Sequence, residues 1–168
     1  VDRASVKIAD STSLAGTELD NIDDSLIAVL GQAKDEIIIE NPYVVLPDRM
    51  LRALKELGDN GVKTTIITNS PLSTDSTATQ AFFLEEWANA LAAVPNLRIL
   101  VATGERKLHA KTAVIDREVT IVSTYNMDFL SAQVNSEIAS FSHSPELAAR
   151  TLKTYEADVT DPANGFVE

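Results

Sequence analysis

Cysteine is absent from all 168 residues of the chain. This absence excludes disulfide bonds and thiolate metal sites, and it leaves the redox compartment undecided. The sequence also lacks any apolar run of about 18 residues or more, which excludes a transmembrane helix on hydropathy. Its first residues, Val1-Asp2-Arg3, provide neither an initiator methionine nor a signal-peptide pattern. We therefore expect the chain to be a piece of a longer protein.

Basic residues are scarce, since 14 lysines and arginines stand against 25 acidic residues and give a formal net charge of −11. Proteins that grip nucleic acid usually carry a basic face, so this balance disfavours a nucleic-acid partner unless the fold gathers a local basic cleft. It also provides no polybasic patch for an anionic membrane surface. The hydrophobic content of 45% favours a globular domain with a substantial core.

Apolar periodicity predicts alternating helices and strands. Ile22, Leu26 and Leu30 recur at helical spacing, whereas Ile37-Ile38-Ile39 is a continuous apolar run, as in strands covered on both faces. The same reasoning predicts strands near 62–68, 97–101, 119–122 and 134–141, and helices near 47–57, 78–92 and 145–155. We expect an α/β fold with a mixed, largely parallel β-sheet and helices on both faces.

Composition divides the chain into three parts. Residues 1–20 are rich in Asp, Ser, Thr and Ala and are expected to form an N-terminal extension or inter-domain segment, with a short strand at Val6-Lys7-Ile8. Residues 21–160 are expected to form a single domain. Residues 161–168 are expected to be a loose C-terminal tail.

The segment from His109 to Asn126 concentrates the chemistry of the chain. His109 and Lys111 are two apart, so in a β-strand both side chains point to one face. After a turn at Asp116, a second strand returns and brings the hydroxyls of Ser123 and Thr124 and the amide of Asn126 near this pair. An imidazole, a fixed positive charge, hydroxyls and an amide donor together suit an anionic group such as phosphate.

The spacing of these residues resembles the H-x-K-x4-D-x6-G-S-x-N signature of the phospholipase D superfamily. Every interval matches, with Ser123 in place of the usual glycine and Thr124 in place of the usual serine. In the segment that follows, Leu130 stands where an arginine is common.

Two loop segments resemble a narrower group, the C-terminal half of bacterial phospholipase D-type cardiolipin synthases. They are Asn41-Pro42-Tyr43 to Pro47, after the first central strand, and Thr68-Asn69-Ser70 to Asp75, after the second. Ligands of such sheets bind in loops at the carboxyl ends of strands. The resemblance spans roughly residues 22–141, and it makes Tyr43, Asn69 and Ser70 candidate substrate contacts, together with Ser123 and Thr124.

The resemblance implies an α/β/α half-domain and a phosphodiesterase or phosphatidyltransferase that works without metal or cofactor. One histidine attacks phosphorus to form a phospho-histidine, and a second histidine, from another copy of the motif, protonates the leaving alkoxide. Lys111 and Asn126 would hold the phosphate oxygens, and Glu137 would orient the imidazole. Asp116 completes the catalytic set by orienting the motif. We expect His109, Lys111, Asn126 and Glu137 to converge in one cleft at a sheet edge, and His143 to be a surface residue.

The implied partners follow from the single motif in this chain. The substrate would be a phospholipid, and the second motif would come from a missing N-terminal half or from a dimer mate. The longer protein would reside in the bacterial cytoplasm or at the periphery of the inner membrane, where it would contact the membrane. Two rival hypotheses remain: a homodimeric nuclease of the same superfamily, and a degenerate, non-catalytic interaction domain, which only Ser123 and Leu130 support.

Overall fold

The computed structural model describes residues 4–11 and 22–168. Seven strands in this part of the chain form one sheet, and five helices accompany them. In chain order the elements are β1 (Ser5–Ser11), α1 (Ile22–Leu30), β2 (Glu36–Glu40), α2 (Asp48–Asp59), β3 (Lys63–Asn69), α3 (Thr77–Ala93), β4 (Leu97–Ala102), β5 (Thr112–Ile115), β6 (Val119–Ser123), α4 (Phe129–Gln133), β7 (Glu137–His143) and α5 (Pro145–Thr160).

The strands are ordered β1-β7-β6-β5-β2-β3-β4 across the sheet. This architecture confirms the expected α/β class with a mixed sheet. The expected predominance of parallel pairing is not found, because only β2–β3 and β3–β4 pair in parallel, whereas the remaining neighbours are antiparallel. The physical reason is the β5–β6 hairpin: it enters the sheet beside β2 without a helical crossover, and β7 and β1 extend it in the same antiparallel manner.

Each face of the sheet has its own apolar core, because successive side chains of a strand point to opposite faces. Ile37 and Ile39 of β2 pack with α1 and α2 on the first face, where Ile22, Leu26 and Leu54 are buried. Ile38 packs on the second face in a cluster with Tyr155 of α5. Helices therefore cover both faces, as the sequence predicted.

Both ends of the described chain belong to the sheet. The predicted N-terminal extension contributes β1, which pairs with β7 along its whole length; the remaining residues of 1–20 lie largely outside the described residues. The predicted tail is not loose. Val167 exchanges backbone hydrogen bonds of 2.8 and 3.0 Å with Val101 of β4, and Asn164 is buried.

None of the helices within residues 4–11 and 22–168 combines the length and the apolar character needed to cross a membrane.

Candidate active site

One edge of the sheet collects the predicted site residues. Strands β2, β3, β4 and β6 end at this edge, and β5 and β7 begin there, because of the antiparallel pairing. Asn69 and Ser123 are the last residues of β3 and β6, and Glu137 is the first residue of β7. The loops that meet at the edge carry Tyr43, Ser70, Asp75, His109, Lys111, Thr124 and Asn126.

His109 lies in the loop that connects β4 to β5, and it is exposed. The two-residue spacing of His109 and Lys111 predicted a strand here, but β5 begins only at Thr112. The imidazole instead stands edge-on to the ring of Tyr43, with centroids 6.1 Å apart and an interplanar angle of 81°. The Tyr43 hydroxyl donates a hydrogen bond to Asp75. This bond, followed by the charges of Lys107 and His109, holds the pKa of Asp75 below its ordinary value, while burial and Asp75 raise the pKa of Tyr43 to about 12.

Lys111 contacts His109 directly. Its Nζ atom donates a hydrogen bond of 3.0 Å to the backbone carbonyl of His109. Burial lowers the pKa of Lys111, and the charges of Glu137, Asp75 and Asp128 oppose that shift. The ammonium group therefore sits half-buried among three carboxylates, next to the backbone of the histidine.

Glu137 is buried at the same edge and accepts hydrogen bonds from two side chains. One comes from the hydroxyl of Thr124, and the other comes from Asn135 at 3.3 Å. Within the described part of the chain, the Glu137 carboxylate accepts these two hydrogen bonds from side chains and none from the imidazole of His109. The Thr124 hydroxyl also accepts a 3.0 Å bond from the backbone of Ile138. Thr124 was predicted to contact substrate, and in this structure its hydroxyl donates to the Glu137 carboxylate.

Asn126 lies in a loop whose conformation depends on Asn41, a residue for which the sequence predicted no such role. The buried Asn41 side chain fixes both neighbours of Asn126: it donates to the Tyr125 carbonyl at 3.1 Å and accepts from the Met127 amide at 3.2 Å. The Oδ1 atom of Asn126 is buried and has no hydrogen-bond partner among the described residues. Asn41 was missed because its sequence signal, an Asn-Pro after a buried strand, indicates only the end of that strand.

Asp116 lies away from this edge. It occupies the β5–β6 turn, where Asp116 and Arg117 have positive φ angles of 50° and 59°. Its carboxylate accepts backbone hydrogen bonds of 2.8, 2.9 and 3.0 Å from residues 34–36. Burial raises the pKa of Asp116, but these three bonds outweigh it and lower the pKa overall. At 3.3 Å per residue the group is about 16 Å along the strand from Lys111, so it stabilises the start of β2 rather than reacting.

Asn69 and Ser70, two predicted substrate contacts, are engaged within the protein. The side chain of Asn69 is 1% exposed; it donates to the carbonyls of Pro42 and Leu108 and accepts from the Leu108 amide. Asn69 therefore positions the segment that carries His109. The buried Ser70 hydroxyl accepts a 3.2 Å bond from the Leu72 amide and stabilises its own turn.

Ser123, the third such residue, bonds to the backbone of the motif. Its amide and its hydroxyl both point to the carbonyl of Lys111, at 2.9 and 3.4 Å. Of the five predicted substrate contacts, Tyr43 alone presents a ring beside His109.

His143 lies at the other end of β7, next to the chain reversal that carries Glu118. Its Nε2 atom is 3.6 Å from the carboxylate of Glu118, and 60% of its side chain is exposed. No bond between His143 and a lysine is found in the described residues, whereas Lys111 bonds to the backbone of His109. In the described ranges, no group of three or more His, Cys, Asp or Glu side chains is placed to hold a metal ion.

Comparison with protein families gives one matching family model, described as cardiolipin synthase, PLD-like domain, over residues 26–159. Cardiolipin synthase A of Buchnera aphidicola is 32% identical over 120 residues, which are 70% of this chain and 23% of that protein. The chain spans about a quarter to a third of the first curated relatives, with shares of 23%, 30% and 31%.

Solved structures share the fold. NucT from Helicobacter pylori superposes with a TM-score of 0.72 at 17% identity, covering 92% of this chain and 95% of that one. Nuc from Salmonella typhimurium, a phospholipase D family member, gives a TM-score of 0.67 at 19% identity, covering 92% and 93%.

Proposed function

The chain belongs to the cardiolipin synthase, PLD-like domain family, and from this membership we propose that it supplies one half of a phosphatidyl-transfer site. The substrate is a phospholipid phosphodiester, and the reaction passes through a phospho-histidine. The observation that carries the proposal is the direct bond from the Lys111 ammonium group to the backbone carbonyl of His109, which supports a joint role for the two residues.

In the proposed reaction, an unprotonated imidazole nitrogen attacks phosphorus, and the bond from phosphorus to the departing alcohol oxygen breaks. The second histidine gives its proton to that oxygen. Water or another alcohol then attacks the phospho-histidine, loses its proton to the second histidine, and restores the first. His109 fills one of these two roles. Lys111 and Asn126 stabilise the charge on the non-bridging oxygens in both steps.

The burial of Lys111 supports its proposed role as a hydrogen-bond donor to the phosphate. The half-buried Lys111 has lost part of its hydration, so a phosphate that approaches it replaces water at lower cost than at an exposed lysine.

The second histidine comes from another copy of the motif. The chain covers only 23% to 31% of the curated relatives' length, so a second half within one longer polypeptide is our first proposal. A second copy of this chain is the alternative, and it is supported by the solved relatives, of which this chain covers 93% to 95%.

The test measures what the protein cleaves. The longest available form of the protein is incubated with phospholipid vesicles, with single-stranded DNA and with a chelator, and release or transfer of the alcohol is followed. We expect lipid turnover that persists in chelator and drops by about 30-fold or more in Lys111→Ala, since a charged donor in a partly dry site contributes about 2–5 kcal/mol. His143→Ala is the matched control and should keep its activity.

Cleavage of DNA alone would replace this proposal with the nuclease hypothesis. The charges at the edge disfavour the nuclease hypothesis, because carboxylates lie near the basic groups that would bind DNA. The charge of Lys107 lowers the pKa of Asp75, and Asp161 lies 4.0 Å from Arg106. Absence of turnover on every phosphodiester, with both halves present, would favour the non-catalytic interaction domain.

A further inference from the structure

A cavity opens beside His109 on the α5 side of the sheet. It has a volume of about 170 Å³, and its lining includes Glu40, Asp158 and Phe166 together with the loop from Arg106 to Ala110. Glu40 is the last residue of β2 and alternates with Ile39, so it points away from the face that holds Lys111 and Ser123. The cavity is thus distinct from the polar edge described above, although His109 borders both.

Glu40 is the unusual group in this cavity. Its side chain is only 5% exposed, yet none of the described residues forms a hydrogen bond or an ion pair with its carboxylate. Burial, reinforced by the charge of Asp158, raises its pKa to about 7. The Glu40 carboxylate therefore faces the cavity, and a positively charged group placed there would compensate the cost of its burial.

The charges around Glu40 indicate which kind of partner is missing. Two basic residues also line the cavity, but Arg106 lies 4.0 Å from Asp161, and the charge of Lys107 acts on Asp75. The charge that acts on Glu40 is that of Asp158. Asp158 lies in the last turns of α5, and the last turn contains no basic residue, so the negative end of the helix dipole adds to the two carboxylates. His109, whose ring stands against Tyr43, and the neutral Tyr155 complete the titratable groups facing this region. The part of the cavity around Glu40 and Asp158 is therefore acidic.

We propose that this cavity binds a small organic ammonium group, with Glu40 and Asp158 as its carboxylate partners. The volume accommodates an amine of a few heavy atoms, and the ring of Phe166 provides an apolar wall of the kind that favours ammonium ions. A bare divalent ion fits less well, because Ca²⁺ takes about six to eight oxygen ligands and only two carboxylates line the cavity. This inference does not rest on the chemistry proposed for His109.

The test is calorimetric titration of the protein with ethanolamine, and with ethylene glycol as a neutral probe of the same size. Ethanolamine should bind and ethylene glycol should not. Because the ammonium group competes with the proton on Glu40, the affinity should fall about tenfold between pH 8 and pH 6. Glu40→Gln should abolish binding and Asp158→Asn should weaken it, whereas Glu118→Gln, at a carboxylate that is 61% exposed, should leave it unchanged.

Several outcomes would overturn the proposal. Equal binding of ethylene glycol would make the cavity a hydroxyl site, and saturable binding of Mg²⁺ or Ca²⁺ in place of the amine would make it a metal site. Absence of ethanolamine binding at pH 8, or full binding in a folded Glu40→Gln variant, would also contradict it. Circular dichroism of each variant establishes that a lost signal does not come from unfolding.

Discussion

Replacing Glu40 by glutamine should change how the stability of the protein depends on pH. The pKa of Glu40 is about 7 in the fold, against an ordinary value of 4.5. A carboxyl group whose pKa is raised by folding stabilises the protein while it is protonated, and this contribution is lost as the pH rises from about 4.5 through about 7. At about 1.4 kcal/mol for each tenfold change, the difference corresponds to about 3 kcal/mol of unfolding free energy.

Glutamine has the shape of the protonated side chain and cannot ionise. Below pH 5 the variant and the wild type should therefore have similar unfolding free energies, and at pH 8 the variant should be more stable by about 3 kcal/mol. Urea denaturation followed by circular dichroism at several pH values between 4.5 and 8 measures this difference. Subtracting the variant from the wild type removes the contributions of the other titrating groups.

Glu118→Gln is the control, because its carboxylate is 61% exposed and lies outside the acidic cavity. If the difference between wild type and Glu40→Gln is flat from pH 5 to pH 8, Glu40 ionises normally, and the account of the acidic cavity is wrong.

Three further substitutions separate support of the fold from the chemistry at the edge. Asn41→Ala leaves the Tyr125 carbonyl and the Met127 amide without their partner, so we expect a loss of about 2–4 kcal/mol in urea denaturation and faster amide exchange at Met127. Asp116→Asn should lower the free energy of unfolding by about 1–3 kcal/mol at neutral pH, and this deficit should vanish as the pH falls through the lowered pKa of Asp116. Turnover per folded molecule should not change, and a specific loss of turnover would show that Asp116 belongs to the active site. Tyr43→Phe removes the hydroxyl that bonds to Asp75, so the pKa of Asp75 should rise toward its ordinary value in a carboxyl NMR titration, and an unchanged pKa would contradict the contact.

The sequence was sufficient to predict the elements that follow local rules. The apolar run at Ile37-Ile38-Ile39 lies within β2, and the periodicity of Ile22, Leu26 and Leu30 corresponds to α1. The helix predicted near 145–155 corresponds to α5, which begins at Pro145 and is capped by Ser144. These features depend on side-chain spacing and capping, which the sequence displays directly.

What depends on long-range pairing could not be predicted. No local pattern indicates that β1 joins β7 or that Val167 pairs with Val101, because each partner lies far away along the chain. The same limit applies to the site. The motif predicted which residues gather at the edge, but it did not reveal that the Thr124 hydroxyl is bound to Glu137 or that Asn69 holds Leu108. Residue type gives the capacity for a hydrogen bond, and only the fold determines its partner.

The most direct test of the central claim compares the two histidines of the chain in the complete site. Turnover of a phospholipid is measured for wild type, His109→Ala and His143→Ala, with folding checked by circular dichroism. If His109 attacks phosphorus or protonates the leaving alcohol, His109→Ala should almost abolish turnover, and His143→Ala should match the wild type. Wild-type turnover in His109→Ala, or loss of turnover only in His143→Ala, would contradict the account.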